Sequence, residues 1–210
     1  KYSNLFKRKG SEGIISSDCP AITFYVEHYS PDLVPYLAPI ASPMVAMTRV
    51  VKKKYGNDIK VVFIGPCIAK KAESDELDEV LTFRELREMF KISGIKRENV
   101  TPSEFDPPHA GKGAIFPISR GLLQTTDVTE NIYEGNVIVA DGRVDFREAI
   151  KEFENGLIRY NNLELLCCEG CIMGPGTSPN GKRFARRTMV SSYVKQKLKN
   201  IDNDEWLKEI

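Results

Sequence analysis

Five cysteines hold the reactive chemistry of this 210-residue chain: Cys19, Cys67, Cys167, Cys168 and Cys171. They are odd in number and bunched, in a chain that opens on Lys1-Tyr2-Ser3-Asn4 rather than on a charged-then-apolar leader. Structural disulfides are therefore not expected, and the protein reads as cytoplasmic. In a reducing compartment such a set serves a metal or redox site. Zinc sites commonly use two paired knuckles, whereas here one close pair, Cys168-x-x-Cys171, is joined by two distant singles, Cys19 and Cys67. That arrangement matches an iron–sulfur cluster better. On spacing alone, zinc and unliganded thiols packed as small hydrophobes stay open. Two of the loops, Gly65-Pro66-Cys67 and 168–176, are rich in Gly and Pro, which lets backbone approach a bulky inorganic group.

Each cysteine loop follows an apolar run: Gly13-Ile14-Ile15 before Cys19, 59–64 before Cys67, and 163–167 leading into Cys168. Further runs lie at Val80-Leu81, 113–116 and 137–140. Flanked by turn residues, these predict buried, mostly parallel strands. Helices are expected between them. Pro43 opens one at its first position and Gly56 ends it. Thr82-Phe83-Arg84-Glu85 fits a capping box, with Phe83, Leu86, Met89 and Phe90 on one face and Gly94 past the end. Asp145-Phe146-Arg147-Glu148 starts a third helix, continued by Ile150 and Phe153, and 184–198 forms the last. Strand and helix in alternation predict an α/β architecture: two lobes of mainly parallel sheet covered by helices. The loop 96–112, with Pro102, Pro107, Pro108 and His109, is the expected seam. Carboxyl ends of parallel strands share an edge where ligands bind, so the three cysteine loops are expected to meet.

Hydrophobic residues make up 41% and charged residues 28%, with 30 Lys+Arg against 29 Asp+Glu and a net charge of +1. This balance argues against a nucleic-acid partner, and the basic runs 52–54 and 182–187 read as solvated helix faces. No run approaches the roughly 18 apolar residues that would span a bilayer, so no membrane association is expected. The chain lacks an initiating Met and closes on an amphipathic stretch, 205–210, so 1–210 reads as one domain from a longer polypeptide.

Three stretches, Ser16-Ser17-Asp18-Cys19-Pro20, Gly65-Pro66-Cys67-Ile68-Ala69-Lys70-Lys71-Ala72-Glu73 and 164–176, resemble the signature segments of the iron-only (di-iron) hydrogenases. The text between them is similar too, notably Glu27-His28-Tyr29-Ser30-Pro31-Asp32-Leu33, Leu81-Thr82-Phe83-Arg84-Glu85-Leu86 and 111–116. The resemblance implies the C-terminal catalytic (H-cluster) domain of the large subunit, with the metal cluster in a cleft between two α/β lobes. Carried over residue by residue, Cys19, Cys67, Cys168 and Cys171 would hold a 4Fe–4S cubane. Cys171 would also bridge to a di-iron unit bearing carbonyl, cyanide and dithiolate ligands, which hydrogenase maturation proteins supply. Pro66 and Lys70 would line the cyanide pocket, where an ammonium can donate to a bound cyanide nitrogen, and Glu73 would partner that lysine.

This chain departs from the family pattern at several of these places. Asp18 stands where the family has a proton-delivering thiol, and Ala38 where it has the next relay hydroxyl. Two thioether positions become Gly65 and Leu166. The third segment is one residue short, so Cys167 competes with Cys168 as the ligand, being the one with the usual three-residue gap to Cys171. At neutral pH a carboxylate holds a proton more rarely than a thiol, so turnover should be low. These changes resemble divergent, sensory-type members. The implied activity is reversible H2 oxidation and proton reduction, used either for catalysis or, through a signalling domain elsewhere in the full-length chain, for sensing H2. With no further cysteine cluster here, electrons would come from a ferredoxin-like donor or an upstream iron–sulfur domain. A hydrogenase-like protein of iron–sulfur assembly, without hydrogen chemistry, is the alternative.

Overall fold

The computed structural model describes residues 2–6, 13–126, 128, 130, 133, 136–199, 201, 204, 206 and 209. In chain order it holds helices and strands α1 (Tyr2–Phe6), α2 (Pro20–Tyr29), α3 (Pro43–Tyr55), β1 (Val62–Gly65), β2 (Glu79–Thr82), α4 (Phe83–Ile92) and α5 (Gly121–Thr126). After these come β3 (Val137–Asp141), α6 (Asp145–Glu154), β4 (Asn162–Leu166) and α7 (Arg183–Leu198). Short 3-10 turns lie at Pro31–Tyr36, Ala69–Ala72, Arg97–Asn99, Gly111–Ile115 and Cys171–Met173. Of the closing amphipathic stretch, Glu205, Leu207, Lys208 and Ile210 lie outside the described residues. No described helix is long and apolar enough to cross a membrane.

The chain divides into two compact units, one of residues 1–43 and 115–172, the other of 44–114 and 173–210. In the first, β3 and β4 pair in parallel from Val137 opposite Asn162 to Asp141 opposite Leu166. Ile15 extends this sheet with single parallel bridges to Leu163 and Leu37. The predicted strand 13–15 thus shrinks to one ladder position, because the chain must turn within five residues into α2 at Pro20. Every residue of β4 is buried, as befits an inner strand of a parallel sheet covered on both faces. Alternation sends Leu163 and Leu165 to one face, packed with Ile22 and Val26 of α2 and Phe146, Ile150 and Phe153 of α6. The other face carries a second cluster of Tyr2, Phe6, Ala38, Leu122, Leu123 and Val137. Neither α2 nor α5 was expected from periodicity, although Pro20 at the first helical position and buried Ile22 and Val26 one turn apart mark α2.

In the second unit β1 and β2 pair in parallel, Val62 opposite Glu79 through Gly65 opposite Thr82. The capping box forms as expected: Thr82 Oγ1 accepts from Glu85 N at 3.2 Å and Glu85 Oε2 accepts from Thr82 N at 2.7 Å. Those bonds, the Thr82 N–H foremost and then the Lys71 ammonium, hold the Glu85 carboxyl down at about 2. The apolar face of α4 is less covered than its pattern suggests, with Met89 and Phe90 half-exposed. One expected strand, 113–116, is absent: Gly111–Ile115 is a 3-10 turn. Its backbone is satisfied locally, Gly113 N donating to Ala110 O at 2.8 Å and Ile118 N to Ile115 O at 3.2 Å, and Pro117 has no N–H to offer a ladder.

Candidate metal centre

In the first unit the cysteine-bearing loops leave the carboxyl ends of strand positions. Ile15 leads into Ser16, whose N–H donates to Leu163 O at 2.8 Å and whose Oγ accepts from Leu165 N at 3.1 Å. Ser17 fixes the turn from the other side. Its N–H donates to the Tyr2 hydroxyl at 3.0 Å, and its Oγ donates to the carbonyls of Ala38 (2.8 Å) and Ile40 (2.9 Å). The Tyr2 hydroxyl, 3.0 Å from Ser17 Oγ, is pushed up to about 12, by burial first and then by the Asp18 charge, and so stays protonated. Asp18 is buried inside this turn. Cys19 then caps α2, its carbonyl accepting from Ile22 N at 3.0 Å.

The second cysteine loop follows β4 without a break. Cys167 and Cys168 are hydrogen-bonded to each other through their thiols, and Gly170 N donates to Cys168 O at 2.7 Å. Gly170 turns at φ +76°, and a Cβ there would stand 3.1 Å from Pro117 O and 3.3 Å from Ser119 N. Segment 117–119 therefore lies directly against the Cys168–Cys171 turn, and Ile172 N donates to Pro117 O at 3.1 Å. The thiol–thiol bond lowers Cys167, assisted by Arg143 and Arg147, and raises Cys168, which burial and the neighbouring Cys167, Cys19 and Cys171 sulfurs push further up. Cys19 and Cys171 thus lie close enough to Cys168 to oppose its ionisation. A soft cationic cluster relieves that repulsion, and a donor set of sulfur alone suits iron–sulfur chemistry. The residues present fit such a group. Among the described residues no three Cys, His, Asp or Glu side chains crowd around one point as a single bound ion would require.

Glu164, the first residue of the third signature segment, is almost fully buried, 1% exposed, at the middle of β4. Its Oε2 accepts from Leu123 N at 3.2 Å, at the start of α5. Burial first, then the Asp18 charge, raise its carboxyl to about 8, against the bonds from the Leu123 and Leu122 N–H groups and the Arg120 charge. The signal for it was a carboxylate inside the apolar run Leu163-Glu164-Leu165-Leu166.

Pro66, Cys67, Lys70 and Glu73 all belong to the second unit. Cys67 follows β1, and Pro66 O accepts from Gly176 N at 2.8 Å, which seats the end of the third signature segment on the second. Lys70 Nζ donates to Glu73 Oε2 at 2.9 Å, both side chains largely buried, and lies 6.0 Å from the Phe63 ring centroid. The ring also fills the space that glycine leaves at position 65, since a Cβ there would stand 2.5 Å from it. Leu166, the other altered thioether position, is packed into the core.

A model of the family described as iron only hydrogenase large subunit, C-terminal domain, matches residues 1–175. The chain belongs to this family. Over 221 residues it is 27% identical to iron hydrogenase 1 of Clostridium pasteurianum, an alignment covering 81% of this chain and 38% of that protein. It is 24% identical over 237 residues to the cytosolic Fe-S cluster assembly factor narfl of Xenopus tropicalis, covering 84% of this chain and 50% of that one. The chain therefore spans half or less of the length of these relatives. The solved [FeFe]-hydrogenase HydA(deltaEFG) superposes with a TM-score of 0.70 at 20% identity, over 97% of this chain and 70% of that one, a likeness of fold.

Proposed function

We propose that the chain is a hydrogen-reactive iron–sulfur domain of low turnover, suited to sensing H2. Cys19, Cys67, Cys168 and Cys171 would hold a 4Fe–4S cubane, and Cys171 would also carry a di-iron unit with carbonyl, cyanide and dithiolate ligands. The carrying observation is the family match over residues 1–175, which takes in all five cysteines, together with Cys19 and Cys171 lying near Cys168 in the first unit. When bound, the group supplies a Lewis-acidic, redox-active iron for the heterolysis of H2 or the reduction of protons.

The rest falls to the chain. Asp18, buried directly ahead of Cys19, takes and returns the proton. The Ser16 and Ser17 bonds hold it and Cys19 in fixed positions, as a shuttle requires. Lys70 would donate to a cyanide ligand, with Glu73 keeping its ammonium oriented and offsetting its charge. Pro66 lines the same pocket. Electrons pass to and from a ferredoxin-like donor or an upstream iron–sulfur domain, maturation proteins install the di-iron unit, a signalling domain reads the outcome, and the protein works in the cytoplasm.

The similarity to the assembly factor favours one other reading, a cluster-holding protein without hydrogen chemistry. Infrared spectra after anaerobic co-expression with maturation proteins separate the two. Carbonyl and cyanide bands with slow H2 evolution are expected. Full iron loading without those bands would replace the proposal with the alternative.

A further inference from the structure

Ser119 is 8% exposed, and its hydroxyl, shut off from solvent, makes no hydrogen bond among the described residues. A buried hydroxyl without a partner is costly and calls for a group that the polypeptide does not provide. Its position is specific. The Ser119 main chain stands 3.3 Å from where a Gly170 Cβ would be, and Pro117 O holds Ile172 N at 3.1 Å, so 117–119 forms the backing of the Cys168–Cys171 turn. The next residue, Arg120, has φ +67°, a conformation that side-chain-bearing residues rarely adopt. Its guanidinium faces outward to Glu130, Nε to Oε2 2.7 Å. The chain thus accepts local strain beside a residue whose hydroxyl is buried and unpartnered among the described residues, a pattern associated with functional sites.

We infer that the Ser119 hydroxyl donates a hydrogen bond to a sulfur of the cluster carried by the Cys168–Cys171 loop and thereby sets that cluster's reduction potential. The inference rests on the cubane reading above. A hydrogen bond to a cluster sulfur stabilises the more negative, reduced state, so its removal moves the potential down. Ser119 is a positioning and tuning residue here, and it does not exchange protons with substrate.

The test uses the full chain, reconstituted anaerobically with iron and sulfide, and a redox titration followed by electron paramagnetic resonance. Ser119→Ala should load the same iron as the parent, yet at a fixed potential its reduced-to-oxidised ratio should fall about three- to tenfold, the larger figure being a shift of about 59 mV for one electron. Ser119→Thr, which keeps the hydroxyl, should stay with the parent, and Ser119→Val, of the same shape without it, should follow Ser119→Ala. Equal potentials for the parent and the Ala variant at equal iron would overturn the inference, and so would Thr and Val variants that move together. If the Ala and Val variants fail to load iron while Thr loads it, the hydroxyl is needed and the inference stands. If Thr fails as well, the site needs only serine's volume and the inference falls. A parent that loads no reducible cluster would overturn the cubane reading itself, an outcome distinct from a reducible cluster indifferent to Ser119.

Discussion

Replacing Glu164 by Gln should remove a pH-dependent weakness from the fold. In the unfolded chain this carboxyl titrates near 4.5, and in the folded chain near 8. Below about pH 4.5 both states carry the proton and ionisation does not affect stability. Between the two values the unfolded chain sheds its proton while the folded chain retains it, so stability falls as pH rises, and it levels off once both states are ionised. At 1.36 kcal/mol for each unit, the loss between pH 5 and pH 7 amounts to about 2 to 3 kcal/mol. Glutamine keeps a carbonyl oxygen for the Leu123 N–H and cannot ionise. Urea unfolding of the reduced, metal-free parent and of Glu164→Gln, followed by circular dichroism at pH 5, 6 and 7, isolates this residue, because every other titrating group is common to both proteins. The parent should lose about 2 to 3 kcal/mol more than the variant over that interval. Parallel stability curves would refute the assignment of a neutral carboxyl at the centre of β4.

Four further outcomes are expected. Cys19→Ala and Cys67→Ala should each abolish the reducible cluster signal while Cys167→Ala keeps it; loss in Cys167→Ala with retention in Cys168→Ala would exchange the adjacent pair. Lys70→Ala should lower the di-iron content or shift the cyanide bands and leave the cubane intact, and an unchanged infrared spectrum in fully matured protein would remove Lys70 from the pocket. Asp18→Cys should raise H2 evolution modestly, and more when combined with Ala38→Ser; rapid turnover of the parent that Asp18→Ala destroys would instead make Asp18 a competent shuttle and end the slow-sensor reading. Thr82→Ala, which breaks the capping box of α4, should lower the urea stability of the chain by about 1 kcal/mol, and no change would mean that the box contributes nothing net.

Local chemistry was the legible part. Pro43, Gly56, the Thr82–Glu85 box and the apolar β-branched runs at 59–64 and 137–140 act over a few residues, and the elements form there, β1 at Val62–Gly65 and β3 at Val137–Asp141. What escaped depends on distant chain. The run 113–116 is apolar enough for a strand, but its backbone closes on itself, whereas 13–15 keeps one ladder position because Leu37 and Leu163 reach it from either side. Around the candidate site, the cysteine spacing marked the loops, since thiols are few in this chain and bunched after the strands. The burial of Glu164 and of the Ser119 hydroxyl is created by α5 and by the Gly170 turn, which no local pattern announces. Nor does glycine at 65 leave a gap: Phe63, two positions earlier on the same face of β1, places its ring where a side chain there would stand.

Helix α1 has only five residues, too few to persist in water without tertiary support. Tyr2 and Phe6, buried against Leu122, Leu123 and Val137, hold it in place, and the Tyr2 hydroxyl grips Ser17, next to Asp18 and Cys19. Helix α1 is consequently a handle on the turn at 16–19. A change that loosens Tyr2 or Phe6 from this cluster would release the turn that carries the first cysteine. For an engineer the same leverage is an opportunity: the placement of Cys19 is adjustable through one distant tyrosine.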